Sequence, residues 1–141
     1  MLPIAISMIS TVLLLVFLGF FVLSSTPLLV LKHDVPMDSR VVRQVFHYCY
    51  RLVTVAGVGA AIGYSWSGRF ALAISVGCIA ALALFMHEWL LTRMDALRVT
   101  MHDNGGDPAQ ISRFRKLHVG AIALNVTQLV ALGVALRQLN L

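Results

Sequence analysis

Four apolar stretches, each long enough to cross a bilayer, alternate with three short segments that hold most of the charge. This alternation constrains the fold more than any other feature of the chain. In hydrocarbon a backbone must satisfy its own N–H and C=O groups, so an apolar run of about 20 residues spans as a helix. Four such runs with short connections predict an all-α integral membrane protein, an up-down four-helix transmembrane bundle. The predicted helices cover about residues 3–31, 40–66, 69–102 and 108–138, and residues 1–141 form a single four-helix transmembrane domain. Composition agrees, with 59% hydrophobic and 12% charged residues, where soluble domains have about 45–50% and about 25%. The net charge is +5, but no soluble domain remains to present it to a nucleic acid. The basic residues are therefore read as topology determinants and lipid-headgroup contacts.

The first run has no Lys or Arg before Lys32. It exceeds the apolar segment of about 7–15 residues in a signal peptide, and so reads as a retained membrane helix. Pro3 suits a first turn, and Pro27, after Ser24, Ser25 and Thr26, predicts a kink in the last turns. In the second helix Arg43, His47 and Arg51 recur every four residues and share one face. Its later half carries Gly57, Gly59 and Gly63, with Gly59 and Gly63 at GxxxG spacing. Ala73, Gly77 and Ala81 make a similar stripe of small residues on the third helix, where backbones can approach closely. Tyr64 and Trp66 fit an aromatic belt at one interface and Trp89 marks the other. Cys49 and Cys78 both lie inside apolar runs and read as small core residues.

Beyond Trp89, Leu90, Leu91, Met94, Leu97 and Met101 keep an apolar stripe at helical spacing. The third helix is therefore expected to project about three turns past the membrane and to end at Asn104-Gly105-Gly106. Asp107 as N-cap, Pro108 at N1 and Gln110 at N3 predict a capping box at the start of the fourth helix. The two odd connections and their flanks hold Lys32, Arg40, Arg43, Arg93, Arg98, Arg113, Arg115 and Lys116, against Arg69 and Arg137 on the opposite side. Eight against two predicts that both termini face the periplasm or exterior and that the 3–4 hairpin faces the cytoplasm.

Counted by depth at about 1.5 Å per residue, His47, His87 and His118 each lie about 27–30 Å from the outer face. Together with Glu88 they form one layer at the inner interface. Such a layer could hold a transition metal through His47, His87, Glu88 and His118, or a haem through pairs of the three histidines. The competing expectation is a structural polar layer, because no His-x-x-x-His, Glu-x-x-His or Cys-x-x-Cys spacing occurs. Arg51 lies about 8 Å inside the same boundary, with Glu88 as its expected partner. Arg43, Arg51 and Glu88 are candidates for lipid contact. Asn125 and Gln128, in line with His118 on the fourth helix, are expected to make interhelical amide hydrogen bonds or to line a polar path.

Phe114-x-x-Leu117-His118 followed by Asn125, with Trp89 and Arg98 before it, resembles a family of small bacterial four-span proteins related to eukaryotic transmembrane protein 205. The resemblance covers roughly residues 86–135, and Ile122 stands where that family carries a small residue. It implies a four-helix membrane bundle and little established chemistry; a link to metal-drug resistance belongs to the eukaryotic relative. There is also a loose similarity to copper-resistance and haem-binding membrane bundles. Together these readings favour a non-catalytic accessory or scaffold subunit, in contact with the lipid bilayer and with a membrane-protein partner or a second copy of itself. The alternatives are a haem- or metal-binding redox protein and a small transporter or lipid-interacting protein.

Overall fold

The computed structural model describes residues 2–30, 40–103 and 107–137, with side chains described at 2–25, 44–101 and 107–137. The first loop, the Asn104-Gly105-Gly106 stop and the Arg43 side chain thus lie outside the described residues. Helix is the only regular structure among those described. α1 (Leu2–Val30) and α2 (Arg40–Trp66) come first. α3 (Phe70–Phe85) passes through a π-helical turn (Met86–Leu91) into α4 (Thr92–Asp103), and α5 (Pro108–Leu136) closes the chain. α3, the π turn and α4 form one rod, so four helical rods result, each long and apolar enough to cross a membrane.

α1 packs on α2 and α5, α2 packs on α3, and α5 returns along α3 and α4. The rods therefore follow one another around an up-down bundle, with α1 opposite α3 and α2 opposite α5. The core is a column of Leu14, Leu18, Val53, Val76, Met86 and Leu132, each at most 1% exposed. Phe21 stacks at 4.3 Å on Tyr50 and at 5.5 Å on Phe46, filling the space between α1 and α2. The outer surface is apolar too, with Leu23, Val55, Ile74 and Val130 all at least 60% exposed. In water such a surface would aggregate; in lipid it is ordinary.

Glycine sets how closely α2 meets its neighbours. A Cβ on Gly57 would lie 2.7 Å from Ala80 Cβ and 3.3 Å from the Val76 carbonyl on α3. On the other side, a Cβ on Gly63 would lie 2.5 Å from Ser7 Oγ and 3.0 Å from the Pro3 carbonyl of α1, and one on Gly59 would lie 3.1 Å from Ser10 Oγ. Gly59 and Gly63 thus face α1 while Gly57 faces α3. Gly77 meets only Ala61, at an ordinary 3.9 Å. Ala73 is buried, whereas Ala81 lies on the outer surface, and Ala80 and Ala83 occupy the inward face.

The turn after α2 is a Schellman motif. Arg69 N–H donates to the Tyr64 carbonyl and Gly68 N–H to that of Ser65, with Gly68 at φ +73°. Tyr64, expected on an aromatic belt, is 3% exposed and its hydroxyl hydrogen-bonds Thr11 at 3.0 Å. The helix face at Tyr64 turns toward α1, and Trp66 alone remains outside at 71% exposure. At the start of α5, Asp107 accepts from Ala109 N–H at 3.2 Å, so the N-cap forms. The reciprocal half of the capping box does not: Gln110 Oε1 is buried without a hydrogen-bond partner.

The largest departure from the sequence expectation is the π turn. Residues 69–102 read as one regular α-helix, but Met86–Leu91 takes the wider winding. A π turn inserts one residue into an α-helix and rotates everything beyond it by about 100°.

Candidate functional site

The π turn and the start of α2 together build a polar chain at the hairpin end of the bundle. Glu88 Oε1 lies 2.8 Å from His87 Nδ1. His87 Nε2 lies 3.2 Å from His47 Nδ1. His47 Nε2 lies 3.0 Å from Asp95 Oδ2. The order is therefore carboxylate, imidazole, imidazole, carboxylate, and the two rings meet edge to face at 87°. The His87 side chain is 9% exposed, those of His47 and Asp95 are 32% and 27% exposed, and that of Glu88 is 68% exposed. The chain runs from surface to interior and back to surface.

The π turn makes this chain possible. His87 and Asp95 are eight residues apart, which in a regular α-helix places them about 80° apart around the axis. The extra residue of the π turn removes about 100°, bringing them to within about 20° of one face. One residue of α2, His47, can then contact both. Asp95 did not stand out in the sequence because a 3.6-residue period points it elsewhere, among the charged residues that flank the apolar stripe.

The other candidate residues are distributed differently. His118 does not join His47 and His87. It lies beside the Ser25 backbone of α1 and the Arg98 guanidinium, and its ring is parallel to Phe114 at 6.3 Å. Its Nε2 is buried and has no hydrogen-bond partner. Arg51 is exposed. The carboxylate expected to pair with it, Glu88, is bonded to His87 instead, and no ion pair joins Arg51 to Glu88 among the described residues. Arg93 lies over the Trp89 ring at 4.2 Å, and Trp89 stacks on Phe85.

Asn125 and Gln128 are each 2% exposed. Asn125 Nδ2 donates to Tyr50 Oη at 3.0 Å, a bond that crosses the bundle diagonal between α5 and α2. Gln128 Nε2 reaches the Ile79 carbonyl of α3 at 3.4 Å. Their carbonyl oxygens, Asn125 Oδ1 and Gln128 Oε1, are buried without partners. Tyr50 was not singled out in the sequence, since a tyrosine in an apolar run carries no mark of a partner 75 residues away.

The His47–His87 geometry separates two chemistries. Opposed ligation of a haem iron by this pair does not fit, because two metal–imidazole bonds of about 2.0–2.1 Å set end to end need about 4 Å. An angular site, with both nitrogens on the same side of an ion, does fit 3.2 Å. Among the described residues no third His, Cys, Asp or Glu converges with them on a single point. Cys49 is buried and Cys78 is exposed on the outer surface, both as free thiols.

The chain matches no protein-family model, and no curated protein or solved structure shows significant similarity to it.

Proposed function

We propose that this protein is a non-catalytic accessory subunit of a bacterial inner-membrane assembly, binding through the outward face of α5 to a helix of another membrane protein or of a second copy. The observation that carries this proposal is the composition of that face. Lys116, Gly120, Ala123, Thr127, Ala131 and Val134 fall within about 80° of one another around α5. All are exposed except the half-buried Gly120. The inward face, Ala121, Asn125, Gln128, Leu132 and Ala135, is buried about 120° away. A helix that only had to meet lipid on its outer side could be bulky there, as α1 is with Leu23, Val16 and Phe20. Small residues let a second backbone come close, which is how helices associate where no hydrophobic force drives them. A Cβ at Gly120 would meet nothing within 4 Å, so this surface is open. The Thr127 hydroxyl is bonded back to the Ala123 carbonyl at 2.8 Å, leaving its methyl to pack outward.

The test is site-specific photocrosslinking in native membranes. A crosslinker at Ala123 or Thr127 should give one discrete protein adduct, either a dimer or a complex with one partner. The same group at Ile74, on the outer face of α3, should give lipid adducts only. Gly120→Leu with Ala123→Leu should abolish the protein adduct while the helical content is kept. Equal lipid-only labelling from α5 and α3 would overturn the proposal.

A further inference from the structure

We propose that His47 and His87 form a binding site for a first-row divalent metal ion, held between His47 Nδ1 and His87 Nε2. This site lies on a different part of the molecule from the α5 face and does not depend on it.

Tautomers carry the argument. A neutral imidazole has one N–H donor and one lone pair. His47 Nε2 faces the Asp95 carboxylate and His87 Nδ1 faces the Glu88 carboxylate. Ionised carboxylates only accept, so each of these outer nitrogens carries the N–H. The two inner nitrogens, His47 Nδ1 and His87 Nε2, then both carry lone pairs, and they lie 3.2 Å apart. Two lone pairs at that distance repel unless a cation lies between them.

The geometry suits a metal ion better than a proton. Two imidazole bonds of about 2.0–2.1 Å at a tetrahedral angle put the nitrogens about 3.3–3.4 Å apart. A charge-assisted N–H bond is shorter, about 2.7–2.9 Å. Histidines that ligate metals characteristically donate their other N–H to a carboxylate, which fixes the ring and raises its basicity. Here both histidines have such a carboxylate, Asp95 and Glu88. The π turn adds independent support: it is an uncommon winding, frequent at functional sites, and it aligns Asp95 with His87. Imidazole donors suit Zn²⁺, Cu²⁺ and Ni²⁺. Two protein ligands leave further positions for water or an exogenous ligand, and the partial exposure of His47 and Asp95 gives the ion a route from solvent.

The test uses the full-length, tag-free protein in detergent or nanodiscs, titrated with Cu²⁺ and with Zn²⁺ by equilibrium dialysis. The expected result is one ion per chain, with a Cu²⁺ electron paramagnetic resonance spectrum showing coupling to two imidazole nitrogens. His47→Gln and His87→Gln should each weaken binding by more than tenfold. Asp95→Asn, which keeps both ligands, should weaken it by about 10–100-fold. His118→Gln should leave it unchanged. The wild-type spectrum decides the matter even if a variant fails to fold. Stoichiometric binding that survives His47→Gln, coupling to fewer than two nitrogens, or no binding at all would overturn the proposal. The last of these outcomes would assign the pair to a shared proton.

Discussion

Tyr50 and Asn125 show how much one buried hydrogen bond can do in this bundle. Their rods lie diagonally opposite, so the bond at 3.0 Å ties together two helices that do not otherwise pack. Asn125 Oδ1 already lacks a partner. Tyr50→Phe would leave the amide nitrogen unpaired as well, and stranding a buried polar group costs about 1–3 kcal/mol. Removing both partners together should be milder. Tyr50→Phe with Asn125→Leu is therefore expected to recover much of the loss, with a coupling energy of about 0.6–1.7 kcal/mol in a double-mutant cycle. Reversible unfolding of the four proteins in mixed micelles measures it, and additive losses would show that the bond contributes nothing of its own. Asn125 and Gln128 were legible in the sequence, because an amide in an apolar run must find a partner. Which partner it finds depends on the rotation of each helix, and local spacing does not fix that rotation.

The helices themselves were legible for a simple reason: a spanning apolar run has few alternatives to helix, and the bilayer sets its length. What the sequence hid is where one rod departs from the regular winding. Nothing in Met86–Leu91 distinguishes a π turn from an α turn locally, and the winding only becomes meaningful through the contacts it makes with α2. Counting depth at a constant rise placed His87 near His47 correctly, but it also put His118 in the same set, because depth says nothing about direction around the axis. The glycines of α2 are better constrained. Gly57→Val should be destabilising by about 1–3 kcal/mol, since the new atoms would meet Ala80 and the Val76 carbonyl, and backbone there cannot move aside. Gly19→Ala, where a Cβ meets nothing within 4 Å, should instead stabilise by about 0.5–1 kcal/mol through helix propensity. Unfolding midpoints of the two variants in the same detergent check the contrast, and equal effects would mean that α2 and α3 are not in close contact.

At the scale of the whole molecule, the bundle is apolar within and without, so loop charge is what distinguishes its two ends. The α2–α3 turn offers Arg69 alone, while the flanks of the α4–α5 connection hold Arg93, Arg98, Arg113, Arg115 and Lys116. On the proposed orientation the first end faces outward and the second inward. A protein with Cys49 and Cys78 replaced by alanine provides a thiol-free background. In it, Ser67→Cys in the α2–α3 turn should react with a membrane-impermeant maleimide on intact spheroplasts. Ser112→Cys, exposed in the first turns of α5, should react only after the membrane is opened. Loop charge also sets how the orientation can be weakened. Replacing Arg113, Arg115 and Lys116 with Gln lowers the bias from eight against two to five against two. Adding Lys at the exposed positions Ser65, Trp66 and Phe70 then brings the two sides level, five against five. Mixed labelling of both cysteines is expected from that last protein, because no net bias remains to choose one insertion. If Ser67→Cys stays outside regardless, orientation is set by something other than loop charge, such as a partner already in place when the bundle inserts.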